Sequence, residues 1–406
     1  MSRKSIGLLP QISAAHMVSH FHIMAIPALL PLLPTTLDAT FTELGIAISL
    51  FNILSAIVQV PFGFAVDRYG PGNVLLTGVA LGSASFLCLA VTPSYTGLLV
   101  TMTLAGIANG VYHPSNYALL ARGIPADRLG RAFSIHTCAG YVGGAIAPPV
   151  LLTVAIYWNL ATAFLLTAFF GGLVILLISM PTTGEDEWNH SSKRRNPSAA
   201  KPANFRLLAH SIPILTVLFI LMSLNTSALE KFSVTALVHG FSVPLSWANA
   251  GLTTFLLASA FGVLTGGELA DRTRHHALVA AAAFALAASF IVLVVLLPLS
   301  PLALVTILGM AGFFYGIVPP SRDMLVRSVA PSGAEGKTFG IVMTGFNIGG
   351  AIGAPLFGWL LDRGQYGAIF WFAIIFMTTA LIVLAYLDQH AIKGPPTSIR
   401  RAKIRS

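Results

Sequence analysis

The sequence predicts an all-α membrane protein in which twelve transmembrane helices form two similar six-helix bundles. Three observations predict this fold class. Hydrophobic residues make up 55% of the 406 residues and charged residues only 9%, whereas roughly 25% of a soluble domain is charged. Nine charge-free stretches are long enough to cross a bilayer, which takes about 20 residues, and three of them are long enough to cross it twice. Residues of the first half also return in the second half at a fixed offset of 206 positions.

The charge-free stretches place the twelve helices in order. The first six predicted spans are 10–34, 43–66, 73–93, 96–121, 130–155 and 158–180. The last six are 210–238, 246–270, 275–297, 300–328, 337–360 and 366–387. We therefore expect an N-terminal bundle at 1–180, a cytoplasmic linker at 181–209, a C-terminal bundle at 210–390 and a basic cytoplasmic tail at 391–406.

The repeat lies mainly in glycine and proline positions inside the predicted helices. Its clearest pairs are Gly106 with Gly312, Gly110 with Gly316, Pro114 with Pro320, Gly143 with Gly349, and Pro149 with Pro355. A fixed offset near half the chain length indicates a duplicated unit. Duplicated membrane halves commonly pack around a central path whose access alternates, and the repeat therefore predicts a carrier architecture.

Basic residues predict the orientation in the membrane. An even number of spans puts both termini on one side. Of the 23 Lys and Arg residues, all but Lys231, Arg322 and Arg363 lie in the termini or in alternate connections and their helix ends. The positive-inside rule assigns those regions to the cytoplasm. We expect a multi-pass protein of a bacterial inner membrane with both termini cytoplasmic.

Composition and motifs argue against several other classes. The net charge of +9 is spread over short loops and the tail, so topology accounts for it and no nucleic-acid partner is expected. Cys88 and Cys138 have no partner at motif spacing, so neither a disulfide nor a metal site is expected. The chain has no nucleotide-binding Gly-x-x-x-x-Gly-Lys-Ser/Thr motif and no catalytic set. We expect a protein that is not an enzyme, binds no cofactor, works as a monomer and has membrane lipid as its main solvent.

A second repeat follows predicted helices two and eight. Residues 63–70 read Gly-Phe-Ala-Val-Asp-Arg-Tyr-Gly, and residues 267–274 read Gly-Glu-Leu-Ala-Asp-Arg-Thr-Arg. Both resemble the loop signature of the major facilitator superfamily. The resemblance implies the twelve-helix fold of that superfamily and transport by alternating access. It also implies a gating role for four charged residues near helix ends, which can pair in one conformation and separate in the other: Asp67, Arg68, Asp271 and Arg272.

Each half resembles a different group within this superfamily. Residues 16–33 and 111–114 are similar to the fosmidomycin-resistance group, which implies export of an antimicrobial compound. Residues 321–327 look more like carriers of small organic acids. The sequence departs from the superfamily in helix four, where Met102 and Ala105 stand in place of an Arg and a Gln. A proton role for that Arg therefore does not carry over.

Two charged residues lie well inside predicted helix ten. Arg322 and Asp323 lie about 7–8 Å of helical rise from Arg327, and charges at such depth need a cavity or a partner. Neighbours on a helix point about 100° apart, so we expect that these two do not neutralise each other. Arg322 is a candidate clamp for a substrate carboxylate or phosphonate, and Asp323 is a candidate proton site. The alternative is a structural salt bridge at the inner gate.

A second charged pair occupies the outer third of predicted helix seven. Glu230 follows Ser223 and Ser227 at helical spacing and extends their polar stripe. An acidic group that changes protonation is what proton coupling needs, and Glu230 is a candidate coupling site. For Lys231 the alternative is a side chain that reaches the outer headgroups.

Histidines and other polar residues complete the predicted substrate path. His16 and His20 share one face of helix one, and His113 enters from helix four. They can line the path or relay protons, or can simply pack with hydrogen bonds. Helix one carries no acidic or Cys ligand, so metal binding is not expected. The remaining candidates, each of which can also serve only helix packing, are Asn52, Gln59, Tyr112, Tyr141, Tyr315 and Asn347.

These residues together predict a secondary active transporter of one small organic solute, powered by an existing ion gradient. An organic anion is the first choice, because Arg322 and the three histidines favour negative charge, and protons are the expected coupling ion. Proton-driven efflux of an antimicrobial compound is the alternative that the N-terminal resemblance implies. An alternative of another class is a transporter-like receptor that binds a solute without moving it.

Overall fold

The computed structural model describes residues 7–125, 128–181, 205–273, 275–330 and 335–391, and within these ranges the ordered elements are helices. The N-terminal six are α1 (Leu8–Leu29), α2 (Phe41–Tyr69), α3 (Pro71–Val91), α4 (Tyr95–Gly123), α5 (Leu129–Tyr157) and α6 (Leu160–Ile178). The C-terminal six are α7 (Phe205–Thr226), α8 (Leu245–Arg272), α9 (His276–Leu296), α10 (Pro301–Val329), α11 (Glu335–Asp362) and α12 (Tyr366–Ala391). The predicted fold class of twelve helices is confirmed.

Two helices continue through an irregular turn. A 3-10 turn at Leu30–Leu32 and a short helix at Leu33–Leu37 extend α1. A π-helical turn at Ser227–Phe232 and a helix at Ser233–Gly240 extend α7. The sequence predicted one uninterrupted helix at 210–238, which is wrong at this turn. A π-turn inserts a residue without breaking the apolar pattern, so hydropathy does not reveal it.

Helix length and composition identify a multi-pass membrane protein, as predicted. Eleven helices of the described chain are long and apolar enough to cross a membrane. The remaining long helix, α4, spans 29 residues and carries Asn109, His113 and Asn116, which make it less apolar. Most of the predicted linker at 181–209 and nearly all of the tail at 391–406 lie outside the described residues.

The two halves repeat the same helix packing. In the N-terminal half α1 packs on α5 and α6, α2 on α4, and α3 on α4 and α6. In the C-terminal half α7 packs on α11 and α12, α8 on α10, and α9 on α10 and α12. Each contact of the first half thus recurs between helices numbered six higher. The sequence duplication is therefore a duplication of tertiary packing.

The repeated glycines lie at two of these equivalent contacts. Gly106 of α4 packs on the backbone of Phe51 in α2, and a Cβ atom at Gly106 would lie 2.6 Å from the Phe51 carbonyl oxygen. Gly312 of α10 packs in the same way on the backbone of Phe255 in α8. Any larger side chain would push these helices apart, which is why glycine recurs here.

The halves meet along two equivalent contacts, α2 with α11 and α5 with α8. The π-turn of α7 also touches α1. We call the end where α1 begins the inner end and the end where α2 begins the outer end, after the orientation that the basic residues predict. In duplicated membrane bundles the binding site lies between the two halves, so we expect a candidate site among the residues buried along these contacts.

Candidate functional site

Arg322 and Asp323 lie on α10 and form an ion pair with each other. The Arg322 Nη2 and Nε atoms lie 2.8 and 2.9 Å from the Asp323 Oδ1 atom. The guanidinium also lies over the ring of Phe219 from α7, with 4.4 Å between the Arg322 Cζ atom and the ring centroid. The Arg322 side chain is 13% exposed and that of Asp323 47%.

The expectation that these neighbours do not neutralise each other is wrong. Their Cα–Cβ bonds point in different directions on the helix, but the long Arg322 side chain turns back to reach the carboxylate. Because the carboxylate is only half-buried, its second oxygen has space for another partner. Arg322 is therefore part of a charge pair and is not an isolated positive charge.

The π-turn of α7 carries the second pair of charges. Lys231 is buried, with 9% of its surface exposed, and Glu230 is partly buried. The Lys231 side chain therefore does not extend to the outer surface. Within the described residues neither side chain forms a hydrogen bond or a direct ion pair, although the two groups interact electrostatically. Unpaired charges at this depth mark a functional position in membrane proteins.

Two tyrosines connect the charged pairs. Tyr315 of α10 exchanges a hydrogen bond of 2.7 Å with the Thr226 hydroxyl, one residue before the π-turn. Its hydroxyl interacts electrostatically with Glu230 and Arg322. Tyr141 enters from α5 of the other half and interacts electrostatically with Glu230, Arg322 and Asp323. We call Glu230, Lys231, Arg322, Asp323, Tyr141 and Tyr315 the charged site; it contains residues of both halves.

Four histidines form a separate cluster in the N-terminal half. The His16 ring lies 4.6 Å from that of His20 and 6.0 Å from that of His113. It also stacks on His136 of α5, with 4.0 Å between centroids and 19° between ring planes. We call these four residues the histidine cluster. In the described part of the chain no three His, Cys, Asp or Glu side chains are arranged to hold a metal ion.

Sequence reasoning missed His136. The residue lies in a charge-free stretch, and a neutral histidine does not interrupt such a stretch. Its position in an apolar helix, seven residues after Leu129, is the signal that would have found it. His22, on the same helix as His16, points away from the cluster, where one of its ring nitrogens lies 3.2 Å from the Thr167 carbonyl oxygen.

The other predicted path residues are dispersed. Asn52 of α2 donates to the Ile48 carbonyl oxygen at 2.8 Å and packs against Gly350 of α11, at the contact between halves. Tyr112 is buried, and its hydroxyl has no partner among the described residues. Gln59 and Asn347 are partly buried in α2 and α11. The structure thus brings Arg322, Tyr141 and Tyr315 together but leaves these four outside the charged site.

The four residues of the predicted inner gates are exposed near the inner ends of α2 and α8. Asp67 lies 3.4 Å from Arg122 of α4, within the same half. Arg272 pairs with Glu268 one turn earlier in α8, and the Arg68 guanidinium lies 5.4 Å from the ring centroid of Tyr69. Each of these contacts is local to one half.

At the outer end Asp362 joins the two halves. Its carboxylate, at the end of α11, accepts hydrogen bonds from the backbone N–H groups of Phe41 and Thr42 at 2.8 Å each and from the Thr42 hydroxyl. Lower down, the Ser49 hydroxyl of α2 donates to the Ala351 carbonyl oxygen of α11 at 2.7 Å. We call Phe41, Thr42 and Asp362 the outer latch. Charge patterns did not single out Asp362 because it lies just beyond the predicted span 337–360.

Comparisons with known proteins agree with this architecture. The family model described as Major Facilitator Superfamily matches residues 12–305 and 238–405. The fosmidomycin resistance protein of Escherichia coli (strain K12) is 25% identical over 273 residues, which cover 67% of this chain and 66% of that protein. The uncharacterised MFS-type transporter YfnC of Bacillus subtilis (strain 168) is 27% identical over 390 residues, or 93% of this chain and 89% of that protein.

A further relative and a solved structure give the same picture. The multidrug resistance protein MdtH of Salmonella paratyphi B is 25% identical over 337 residues, which cover 79% of this chain and 78% of that protein. The fold is similar to that of a bacterial homologue of the human lysosomal transporter Spinster in an inward-facing, unoccupied conformation, with a TM-score of 0.73, 13% identity and coverage of 95% and 97% of the two chains.

Proposed function

Because the chain belongs to the major facilitator superfamily, whose members are transporters and not enzymes, we propose that it moves a small organic anion across a bacterial inner membrane. In this proposal the binding site opens to one side of the membrane and then to the other, and protons drive the movement. The orientation that we propose has both termini in the cytoplasm. The observation that carries the proposal is the charged site, where Glu230, Arg322 and Asp323 interact electrostatically with Tyr141 of the opposite half and Lys231 interacts with Glu230.

The charge balance of this site supports an anionic solute. Arg322 and Asp323 neutralise each other as an ion pair, so the net charge depends on Glu230 and Lys231. When the Glu230 carboxyl group is protonated, Lys231 leaves the site with one positive charge, and an anion is attracted. When Glu230 is ionised, the site is neutral and holds an anion less tightly.

This balance also favours a direction of coupling. A proton on Glu230 and an anion beside Lys231 stabilise each other, so the two would bind and cross together. A transporter in which proton and solute bind together is a symporter, and the inward proton gradient of a bacterium would then drive uptake. We therefore propose proton–anion symport, with Glu230 as the proton site and Lys231 and the Arg322–Asp323 pair as the anion site.

Efflux of an antimicrobial compound is the second candidate function. The printed names of two relatives, a fosmidomycin resistance protein and a multidrug resistance protein, favour it. An exporter driven by protons would need proton and drug to compete for the site, so solute release would follow protonation. The two candidates thus predict opposite effects of a proton on solute binding.

The test is solute-dependent proton flux in liposomes that contain the purified full-length protein and a pH-sensitive dye. An inward proton gradient is imposed, and small carboxylates, phosphonates including fosmidomycin, and cationic drugs are added outside. Acidification that accompanies entry of a carboxylate or phosphonate supports symport. Proton movement opposite to solute supports efflux, and binding of a compound without any flux would contradict transport and indicate a receptor. Asp38→Asn, an exposed acid outside the charged site, is the control variant.

A further inference from the structure

The histidine cluster brings four imidazoles from three helices into contact in the N-terminal half. His16 and His20 belong to α1, His113 to α4 and His136 to α5. The centroid distances of 4.0, 4.6 and 6.0 Å from His16 leave no layer of other side chains between the rings. Such a group of ionisable rings, in a half that contributes no acid to the charged site, has no role in the function proposed above.

Four ring nitrogens of this cluster lack hydrogen-bond partners among the described residues. The Nδ1 atoms of His16 and His113, and both ring nitrogens of His136, are buried without a hydrogen bond among the described residues. His136 is 1% exposed and His16 6%. A neutral imidazole has one N–H donor and one lone pair, and buried polar groups normally have partners. Unpartnered nitrogens on adjacent rings are therefore available to a ligand.

On the side of α5 the cluster is too closely packed for an organic ligand. Gly140 of α5 lies directly against it, and a Cβ atom there would lie 2.7 Å from the His16 ring atoms Nε2 and Cδ2 and 3.0 Å from the His20 Cδ2 atom. Four rings and a helix backbone thus occupy the available space. A proton can bind a ring nitrogen without requiring additional space.

The surroundings of the cluster limit it to one positive charge at most, because its histidines repel one another when charged. The electrostatic neighbours of each ring within the cluster are the other histidines. Other titratable groups on these helices include Tyr112 and Tyr117 of α4 and Cys138 and Tyr141 of α5. The Tyr117 ring lies 5.6 Å from that of His113 and 6.4 Å from that of His136. Tyr117 in turn interacts electrostatically with the Arg322–Asp323 pair of α10.

We propose that the histidine cluster is a proton-binding site that holds one transported proton, shared among the four rings, in addition to the proton handled by the charged site. A charged ring can lie over the face of a neutral one, as the stack of His16 on His136 allows. A second proton would place like charges 4–6 Å apart in a medium of low dielectric, which is strongly unfavourable. The cluster therefore binds one proton as a unit.

Tyr117 provides a connection between this site and the solute. Its side chain is 47% exposed. The Tyr117 ring contacts His113 of the histidine cluster, and its hydroxyl interacts electrostatically with the Arg322–Asp323 pair. A proton held by the rings of α1, α4 and α5 thus adds positive charge on the side of the N-terminal half. This inference rests on the proposed function in one respect, because it takes the bound proton to be transported together with the solute.

The first test measures the number of protons carried per solute in the liposome assay, with the carboxylate or phosphonate that gives the largest flux. We expect His136→Asn and His20→Asn each to lower this number by about one while solute still moves down its own gradient. His22→Gln, a substitution of another buried histidine of α1, serves as the matched control and should keep the wild-type number. Equal numbers for His136→Asn and the wild type would overturn the proposal.

The second test needs no solute. The full-length protein, labelled with ¹⁵N in its histidine rings, is placed in lipid nanodiscs, and the ring nitrogen shifts are followed by NMR from pH 8 to pH 5. We expect about one proton to be taken up across the four rings at one common midpoint, and His136→Asn to alter the midpoint of the other three. Four rings that stay neutral throughout, or that charge independently, would overturn the proposal.

The two tests separate failure of this inference from failure of the proposed function. Absence of solute-dependent proton flux in the wild type contradicts proton-coupled transport, and the NMR titration then decides the histidine cluster by itself. Flux that is unchanged in the variants contradicts only the cluster. Thermal unfolding and size-exclusion profiles of each variant establish that it is folded, and His136→Phe replaces His136→Asn if the latter is not.

Discussion

The carboxylate of Asp362 caps the first turn of α2 at Thr42, across the boundary between the two halves. It accepts hydrogen bonds from both the backbone N–H group and the hydroxyl group of Thr42, and from the N–H group of Phe41. Thr40 and Glu43 satisfy the remaining donors of that turn as a capping box. A negative charge at a helix N-terminus is also favourable for the helix dipole. An element of one half thus completes a helix of the other.

Loss of this latch should open the outer end. Replacing a capping residue by Ala costs about 1 kcal/mol, so Asp362→Ala should shift the equilibrium between closed and open outer ends roughly fivefold towards open. Spin labels at Tyr157→Cys and Leu297→Cys, both exposed at the outer end, report the separation of the halves in a background without Cys88 and Cys138. Asp38→Asn is the control at the same end. An unchanged distance distribution in Asp362→Ala would show that the latch does not hold the halves together.

Arg322→Lys should weaken solute binding although it keeps the positive charge. A lysine cannot reproduce the two contacts of Nε and Nη2 with Asp323, and it stacks less well on Phe219. A loss of about 1.4 kcal/mol corresponds to tenfold in affinity. Equilibrium binding of the transported anion measures it, with Arg327→Lys on the same helix as the control. Wild-type affinity in Arg322→Lys would leave Arg322 a purely structural role.

Glu230→Gln should lower the number of protons that are carried with each solute. The amide keeps the shape of the carboxyl group but cannot take up or release a proton, so the site keeps the positive charge of Lys231 permanently. We expect the variant to exchange labelled solute across the membrane as fast as the wild type and to carry about one proton fewer per solute when a pH gradient is imposed. An unchanged number of protons per solute in this variant, with Asp38→Asn as reference, would exclude Glu230 as the coupling residue.

Asp323→Asn should reduce stability and raise the affinity for an anion. The substitution removes the ionic partner of Arg322, whose side chain is only 13% exposed, and leaves a positive charge with an amide neighbour. Since the carboxylate is half exposed, the expected cost in the free energy of unfolding is about 1 kcal/mol. Thermal unfolding in detergent should show a lower midpoint, and equilibrium binding of the anion a higher affinity. A variant that loses proton coupling with unchanged stability would instead make Asp323 a proton site.

Gly312→Val should disrupt the C-terminal half. The added side chain would overlap the backbone of Phe255 at the contact between α8 and α10, and overpacking of this kind costs about 1–3 kcal/mol. We expect a lower yield of folded protein and a lower unfolding temperature. Gly340→Ala is the matched control, because nothing lies within 4 Å of a Cβ atom at that helical glycine. Equal stability of the two variants would mean that the close approach of α8 and α10 is dispensable.

The sequence by itself determined the fold and the family. Residues within a span must be apolar because lipid cannot satisfy charges, so the twelve helices were readable from local composition alone. The duplicated glycines were likewise readable, because Gly106 and Gly312 each mark a close helix contact whose requirement is independent of the rest of the chain. The loop signatures that contain Asp67 and Asp271 identified the superfamily. Part of the site was also predictable from the sequence, because charged residues inside a span, such as Arg322 and Glu230, cost free energy in whichever direction they point.

Only the tertiary structure decided which of these groups act together. His136 joins His16 because α5 packs on α1, and Asp362 caps α2 because α11 packs on it. The pairing of Arg322 with Asp323 depends on how a long side chain turns, which helical spacing does not specify. Composition and periodicity are properties of single helices, whereas these contacts depend on which faces of different helices meet, and long-range packing alone sets that choice.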